Sequence, residues 1–200
     1  MRYGMVIDLS KCIGCMACTI ACKVENGTPP GVFWGKVKDQ EFGKYPNVTR
    51  VFLPVLCMHC QDAPCIEGCP TGASYKREDG IVVIDPDKCA GCGYCIENCP
   101  YGARSLTKEP VGYFGSELTV NEKAGYEKHN FSVIEKCTFC AHLLAEGKEP
   151  VCVRTCIGEA RYFGDLDDPH SKVSQLITSK HGYQLLGELG TNPSVYYLRA

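Results

Sequence analysis

Sixteen cysteines fall into four groups of four: Cys12, Cys15, Cys18, Cys22; Cys57, Cys60, Cys65, Cys69; Cys89, Cys92, Cys95, Cys99; and Cys137, Cys140, Cys152, Cys156. Each group opens with C-x2-C and closes with C-x3-C, and no cysteine is left over. In C-x2-C-x2-C, one turning loop presents three thiolates to three irons of a cubane. The fourth cysteine, often followed by proline, then ligates the other cluster of a pair. Pro70 and Pro100 follow Cys69 and Cys99 as that crossover requires, whereas Lys23 and Ile157 follow Cys22 and Cys156 and mark it less clearly. The pattern predicts four [4Fe-4S] clusters and about sixteen irons per chain.

Two other chemistries use many cysteines. A disulfide scaffold belongs to exported proteins. Here Met1–Asp8 is too short, and too soon interrupted by Asp8, to be a signal peptide. Structural zinc favours two C-x2-C-type pairs joined by a spacer. The second and fourth groups allow that reading, but the first and third do not. Cubane clusters account for all sixteen.

The net charge is -2, from 21 basic and 23 acidic residues, which gives no footprint for nucleic acid. No apolar run reaches the ~18 residues of a membrane span. Cysteine supplies 16 of 200 residues, so the 44% hydrophobic content overstates the apolar core and metal binding must contribute folding free energy.

The elements that position the cysteines repeat. Val6–Cys22 aligns with Val83–Cys99 at an offset of 77, with nine of 17 residues identical. Groups two and four echo each other through Pro64 and Pro150 ahead of Cys65 and Cys152, and through Ala73 and Ala160 after the last cysteine. Met5–Asp8 and Ile81–Ile84 read as strands entering groups one and three, and Ala73–Lys76, Ala103–Leu106 and Ala160–Phe163 as strands leaving groups two, three and four. Gly14, Gly91 and Gly93 allow tight turns among the cysteines. The fold expected is α+β: duplicated two-[4Fe-4S] ferredoxin-like units with loop insertions. The insertions are residues 23–56, 104–136 and 141–151. They read as loops covering the clusters, or as docking surface through aromatics such as Trp34, Tyr113 and Phe114. Residues 171–180 carry Val173, Leu176 and Ile177 at helical spacing, and Pro193–Leu198 reads as extended.

No catalytic apparatus is visible. Four cysteines per cluster leave no iron open for substrate, and no G-x-G-x-x-G or G-x4-G-K-[ST] nucleotide motif occurs. His59 and His142 lie beside cysteine groups and read as polar neighbours rather than ligands. Lys11, Lys88 and Lys136 each precede a group's first cysteine. They are either cations raising a cluster's potential or surface lysines at strand ends. Catalytic residues are therefore expected on another chain, and electron transfer on this one.

Several motifs resemble one family over essentially all 200 residues. They are Met5–Cys15 (MVIDLSKCIGC), Cys57–Cys65 (CMHCQDAPC), Cys69–Ala73 (CPTGA), Cys99–Ala103 (CPYGA), Lys136–His142 (KCTFCAH) and Phe163–Leu166 (FGDL). The chain resembles the four-cluster iron–sulfur (beta) subunit of the complex iron–sulfur molybdoenzymes, of the dimethyl sulfoxide, polysulfide and thiosulfate reductase type. That resemblance implies a molybdenum or tungsten bis-pterin catalytic partner, often a quinone-reactive membrane anchor, and a role in anaerobic respiration. It implies a membrane-associated complex, on the periplasmic side if co-exported with a twin-arginine-signalled partner and otherwise cytoplasmic.

The resemblance also implies nested pairing. The clusters would be Cys12, Cys15, Cys18, Cys156; Cys22, Cys137, Cys140, Cys152; Cys57, Cys60, Cys65, Cys99; and Cys69, Cys89, Cys92, Cys95. Residues 1–56 and 104–200 would form the first ferredoxin-like unit and residues 57–103 the second. By the same resemblance the first pair lies nearer the catalytic subunit. Cys156-Ile-Gly-Glu-Ala160 departs from the family by lacking the proline after its cysteine. A free-standing polyferredoxin is the alternative.

Overall fold

The computed structural model describes residues 1–115 and 117–199. The first half runs β1 (Tyr3–Asp8), α1 (Ala17–Asn26), β2 (Gly35–Lys44), β3 (Asn47–Leu56), α2 (Pro64–Glu67), β4 (Ser74–Lys76), β5 (Val82–Ile84) and α3 (Tyr94–Glu97). The second half runs β6 (Arg104–Leu106), α4 (Val120–Tyr126), β7 (Ile134–Lys136), α5 (Ala141–Ala145), α6 (Val151–Arg154), β8 (Arg161–Asp165), α7 (Lys172–Ser179) and β9 (Val195–Leu198). Elements are short because each group's loop interrupts the chain, and no helix among the described residues is long and apolar enough to cross a membrane.

β1 is apolar on both faces, as a strand covered on both sides must be. Met5 and Ile7 enter the main core, and Val6 packs against Val173, Leu176 and Leu198 beneath α7. β8 pairs antiparallel on one edge of β1, from Tyr3↔Asp165 to Ile7↔Arg161, and β9 pairs parallel on the other. Because β8 follows Cys156 and β1 precedes Cys12, this register carries group four onto group one. β4 and β5 pair antiparallel through Ser74↔Ile84 and do the same for groups two and three. β6 pairs with β7, from Arg104↔Lys136 to Leu106↔Ile134.

The strands expected at the cysteine groups, the helix at 171–180 and the extended tail all form. All three insertions are more ordered than loops, and 141–151 begins with α5. Residues 35–56 make a hairpin of two ten-residue strands, β2 and β3. Val48, Thr49, Val51, Phe52 and Val55 supply its β-branched and aromatic content. Within 104–136, α4 is started by a capping box in which Thr119 Oγ1 accepts from Glu122 N–H and Glu122 Oε2 accepts from Thr119 N–H.

The main core joins residues from every part of the chain, including Met5, Leu56, Met58, Ile81, Phe139, Val195 and Tyr197, with Cys57, Cys60 and Cys137 among them. The C-terminal segment ties the parts together. Ser194 N–H donates to Met58 O (2.8 Å), Met5 N–H to Ser194 O (3.0 Å) and Tyr197 Oη to Pro54 O (2.8 Å).

Candidate metal centres

Each first triplet sits on a loop that needs backbone conformations most residues avoid. Gly14 and Gly91 have φ of 68° and 64°. A side chain at Gly14 would strike the Phe52 ring, and one at Gly91 would strike the Ser132 carbonyl. The second half of each group lies on a short helix: Cys22 on α1, Cys65 on α2, Cys95 on α3 and Cys152 on α6.

These elements bring thiols together across groups. One small cavity is lined by Cys57, Cys60, Cys65 and Cys99, with Met58, Pro64, Val82 and Arg104. A second is lined by Cys12, Cys15, Cys18 and Cys156, with Lys11, Pro54 and Arg161. Cys69 and Cys92 line a more open cleft with Tyr94 and Pro70. Cys89 and Cys95 belong to the same loop and helix as Cys92. Cys140 and Cys152 lie near enough to Cys22, and Cys22 and Cys152 near enough to Cys137, to raise the pKa of Cys22 and of Cys137 beyond the effect of burial. The turn after Cys156, which lacks the proline, has a positive φ three residues on, as those after Cys69 and Cys99 do at Gly72 and Gly102. Glu159 takes φ 48°, and Ala160 N–H donates to Cys156 Sγ at 3.2 Å.

The donor chemistry fits cubane iron. All sixteen thiols are free of disulfides, and soft sulfur donors in sets of four suit tetrahedral iron. Backbone N–H groups aim at sulfur: Ser74 at Cys69 (3.5 Å), Ile134 at Cys89 (3.4 Å) and Phe139 at Cys137 (3.4 Å). Burial pushes Cys22 and Cys60 up to about 12 and Cys140 to about 11, so these thiols need a neighbouring positive charge to ionise. Burial also opposes ionisation of Cys69, but donors on Ser74, Thr71 and Ala73 outweigh it and bring that thiol down to about 7.

His59 and His142 are not drawn into sulfur sets. His59 is fully buried, accepts from Val82 N–H at Nδ1 (3.1 Å) and stacks on Phe139 at 3.8 Å. His142 Nε2 lies 2.8 Å from Glu25 Oε1. Of the three lysines, Lys11 donates to Tyr162 Oη (2.7 Å) and Lys88 pairs with Asp85 at the surface (3.0 Å). Lys136 is buried, and its Nζ donates to the Val82 and Cys137 carbonyls. Trp34 is partly buried, packed against the core and edge-on to His129.

Nothing in the cysteine pattern points to three further residues that reach the sulfurs. Asn26 Nδ2 lies 3.5 Å from Cys22 Sγ. Arg104 Nη2 lies 2.9 Å from Cys65 Sγ, and Arg161 Nη2 lies 3.5 Å from Cys18 Sγ. A positional signal exists. Asn26 stands four residues after Cys22, where Ala73, Ala103 and Ala160 stand after the other groups, and both arginines directly follow such an alanine.

Known proteins share the whole pattern. A family model described as a 4Fe-4S dicluster domain matches residues 48–112 and 121–166, and a second of the same description matches residues 11–73. The selenate reductase (B) subunit of Mesobacillus selenatarsenatis is 49% identical, covering 99% of this chain and 72% of the relative. The arsenate respiratory reductase iron–sulfur subunit ArrB of Shewanella sp. strain ANA-3 is 42% identical, covering 100% and 97%. The tetrathionate reductase (B) subunit of Salmonella typhimurium is 41% identical, covering 98% and 72%. With sixteen thiols in dicluster spacing and full-length likeness to such subunits, the chain belongs to the iron–sulfur (B) subunits of the complex iron–sulfur molybdoenzymes, electron-transfer subunits that carry four [4Fe-4S] clusters.

Proposed function

We propose that the sixteen cysteines form two interlocked pairs of sites conducting electrons between a molybdenum or tungsten bis-pterin catalytic subunit and a quinone-reactive membrane subunit or other redox partner. The observation that carries the pairing is the composition of the two small cavities. One mixes groups one and four, the other groups two and three. The sites are then Cys12, Cys15, Cys18, Cys156; Cys22, Cys137, Cys140, Cys152; Cys57, Cys60, Cys65, Cys99; and Cys69, Cys89, Cys92, Cys95. The two nested units, 1–56 with 104–200 and 57–103, follow from this pairing, and the β1–β8 and β4–β5 pairings support them.

Each cluster, when bound, takes up and releases one electron. The chain's own residues hold four thiolates per site, aim N–H groups at them and exclude water from the middle of the row. Cys22, Cys137 and Cys140 of the second site and Cys57 and Cys60 of the third are buried, and Cys57 is near enough to Cys137 to help raise that thiol's pKa. Cys15 and Cys92, in the two outer sites, are exposed. That arrangement suits sites buried in the middle of a row and open at its ends. Exposed Ile13 and Ile157 beside the first site fit a docking face for the catalytic subunit, and exposed Tyr94 beside the fourth fits the quinone-side partner. The complex is membrane-associated, and export of the catalytic partner decides its side of the membrane.

Anaerobic purification tests the assignment. The chain should co-purify with a molybdenum- or tungsten-containing subunit and hold about sixteen irons. A chain that runs alone with full iron is a polyferredoxin. In Cys156→Ser, the cluster held by Cys12, Cys15 and Cys18 should change its EPR signature. A change confined to the Cys137 site would sink the nested pairing.

A further inference from the structure

Two arginines occupy one position in the two halves. Arg104 stands five residues after Cys99 and Arg161 five residues after Cys156, each behind an alanine at the first residue of a strand. Both are buried, at 7% and 5% exposure. A guanidinium stays charged, and burying one is costly unless anions meet it. Among the described residues no carboxylate pairs with either.

Sulfur takes that place. Arg161 Nη2 lies 3.5 Å from Cys18 Sγ, and Nη1 lies 3.8 Å from Cys152 Sγ and 3.5 Å from Met5 Sδ. Arg104 Nη2 lies 2.9 Å from Cys65 Sγ, with Nη1 braced on Ser74 Oγ at 2.7 Å. Cys95, on α3, lies near enough for a charge on its sulfur to bear on the guanidinium. Cys18 and Cys152 come from groups one and four, Cys65 and Cys95 from groups two and three. These sulfurs belong to different clusters whether the groups exchange their last cysteine or each keeps its own. The inference therefore rests on the four clusters and not on the nested pairing.

Lys136 is the other buried cation near a cysteine group. Its Nζ donates to backbone carbonyls, fastening β5 to β7, and its charge bears on Cys65, though the Nζ touches no sulfur among the described residues.

We propose that Arg161 and Arg104 are positioning residues for electron transfer, each a single buried cation shared by two neighbouring clusters and holding both at a higher potential. Reduction adds one negative charge to a cluster and moves no proton onto the guanidinium, which is protonated throughout. A fixed positive charge beside ligands of both clusters stabilises the reduced form of each, and low local dielectric strengthens the effect. It also offsets the repulsion between electrons held on both at once. A purely structural arginine would affect iron content and thermal stability without setting potentials in pairs.

Redox titration of the intact complex, followed by EPR, tests this. Arg161→Gln should shift two of the four cluster transitions to lower potential and leave two in place. Arg104→Gln should shift the other two, and the double variant all four. Transitions that stay in place at wild-type iron content overturn the proposal. So does a single transition moving in each variant, or the same two moving in both. Where a Gln variant fails to load iron, Arg→Lys at that position keeps the charge as a compact ammonium that cannot span both sulfurs. That variant should load and displace one member of the pair more than the other. Two unmoved transitions, or failure of both variants to load, would reduce that arginine to a structural role.

Discussion

His129 is held between two acceptors. Its Nδ1 lies 2.5 Å from Glu135 Oε1 and its Nε2 2.7 Å from the Asn26 carbonyl. A neutral imidazole has one N–H and cannot donate to both, whereas the imidazolium can. Burial disfavours that charge, but the Glu135 carboxylate and the carbonyl outweigh it and raise the pKa above its ordinary value. The folded state thus binds the proton more tightly than the unfolded chain. The stabilisation is complete below the unfolded value near 6.5 and is lost as pH rises through the higher folded value, at up to about 1.4 kcal/mol per pH unit. Thermal unfolding of the cluster-loaded protein should show its midpoint falling over that window. His129→Gln should remove that fall, and equal slopes in both proteins would show that the ring is neutral. The contact matters near the clusters because Asn26, whose carbonyl receives His129, also presents its amide to Cys22 Sγ. The sequence holds five histidines and draws notice only to His59 and His142, beside cysteine groups. It gives no reason to single out His129, because a span of 103 residues separates that ring from Asn26 and no local pattern encodes the approach.

At the scale of elements, the 104–136 insertion is joined to the first cysteine group by backbone contact. Gly27, which ends α1 at φ 60°, sits against Gly125 of α4 so closely that a Cβ on either would meet the other's backbone. Gly125→Ala should force the two helices apart and destabilise that contact by roughly 1–3 kcal/mol. Faster amide exchange across 107–133, with iron content retained, is the expected readout. Unchanged exchange would show that α4 docks by other means. The strands entering groups one and three are legible from short apolar runs, Met5–Asp8 and Ile81–Ile84, and those leaving groups two, three and four from their place after the last cysteine. The β2–β3 hairpin and α4 are harder to read, although Thr119-x-x-Glu122 carries a capping signature and Val48–Val55 is rich in strand formers. Cluster ligation dominates the pattern, and segments without cysteine read as loops by default.

At the scale of the molecule, buried cysteines stand where a larger protein would place aliphatic side chains. Cys57, Cys60 and Cys137 belong to the main core beside Met58, Phe139 and Tyr197. Removing iron with an oxidant and chelator should therefore unfold the chain, because metal binding and folding are one equilibrium. Circular dichroism should lose most of its secondary-structure signal, and retention of a native spectrum would show an independently stable scaffold. Thiolate number and spacing are local properties of one chain, so the ligand inventory and the cofactor type are written in the sequence. The strands at the cysteine groups are written there too, since their apolar runs are local as well. Which groups share a cavity, which cysteines reach the surface and which cations sit between sulfurs are settled by the fold. Those outcomes depend on β1 meeting β8 across about 150 residues and on a C-terminal strand buried beside Met5. Of the three lysines that directly precede a cysteine group, only Lys136 is buried, and the two arginines that follow Ala103 and Ala160 touch sulfur. Burial makes the difference, because a cation in water is screened and one enclosed among thiolates is not.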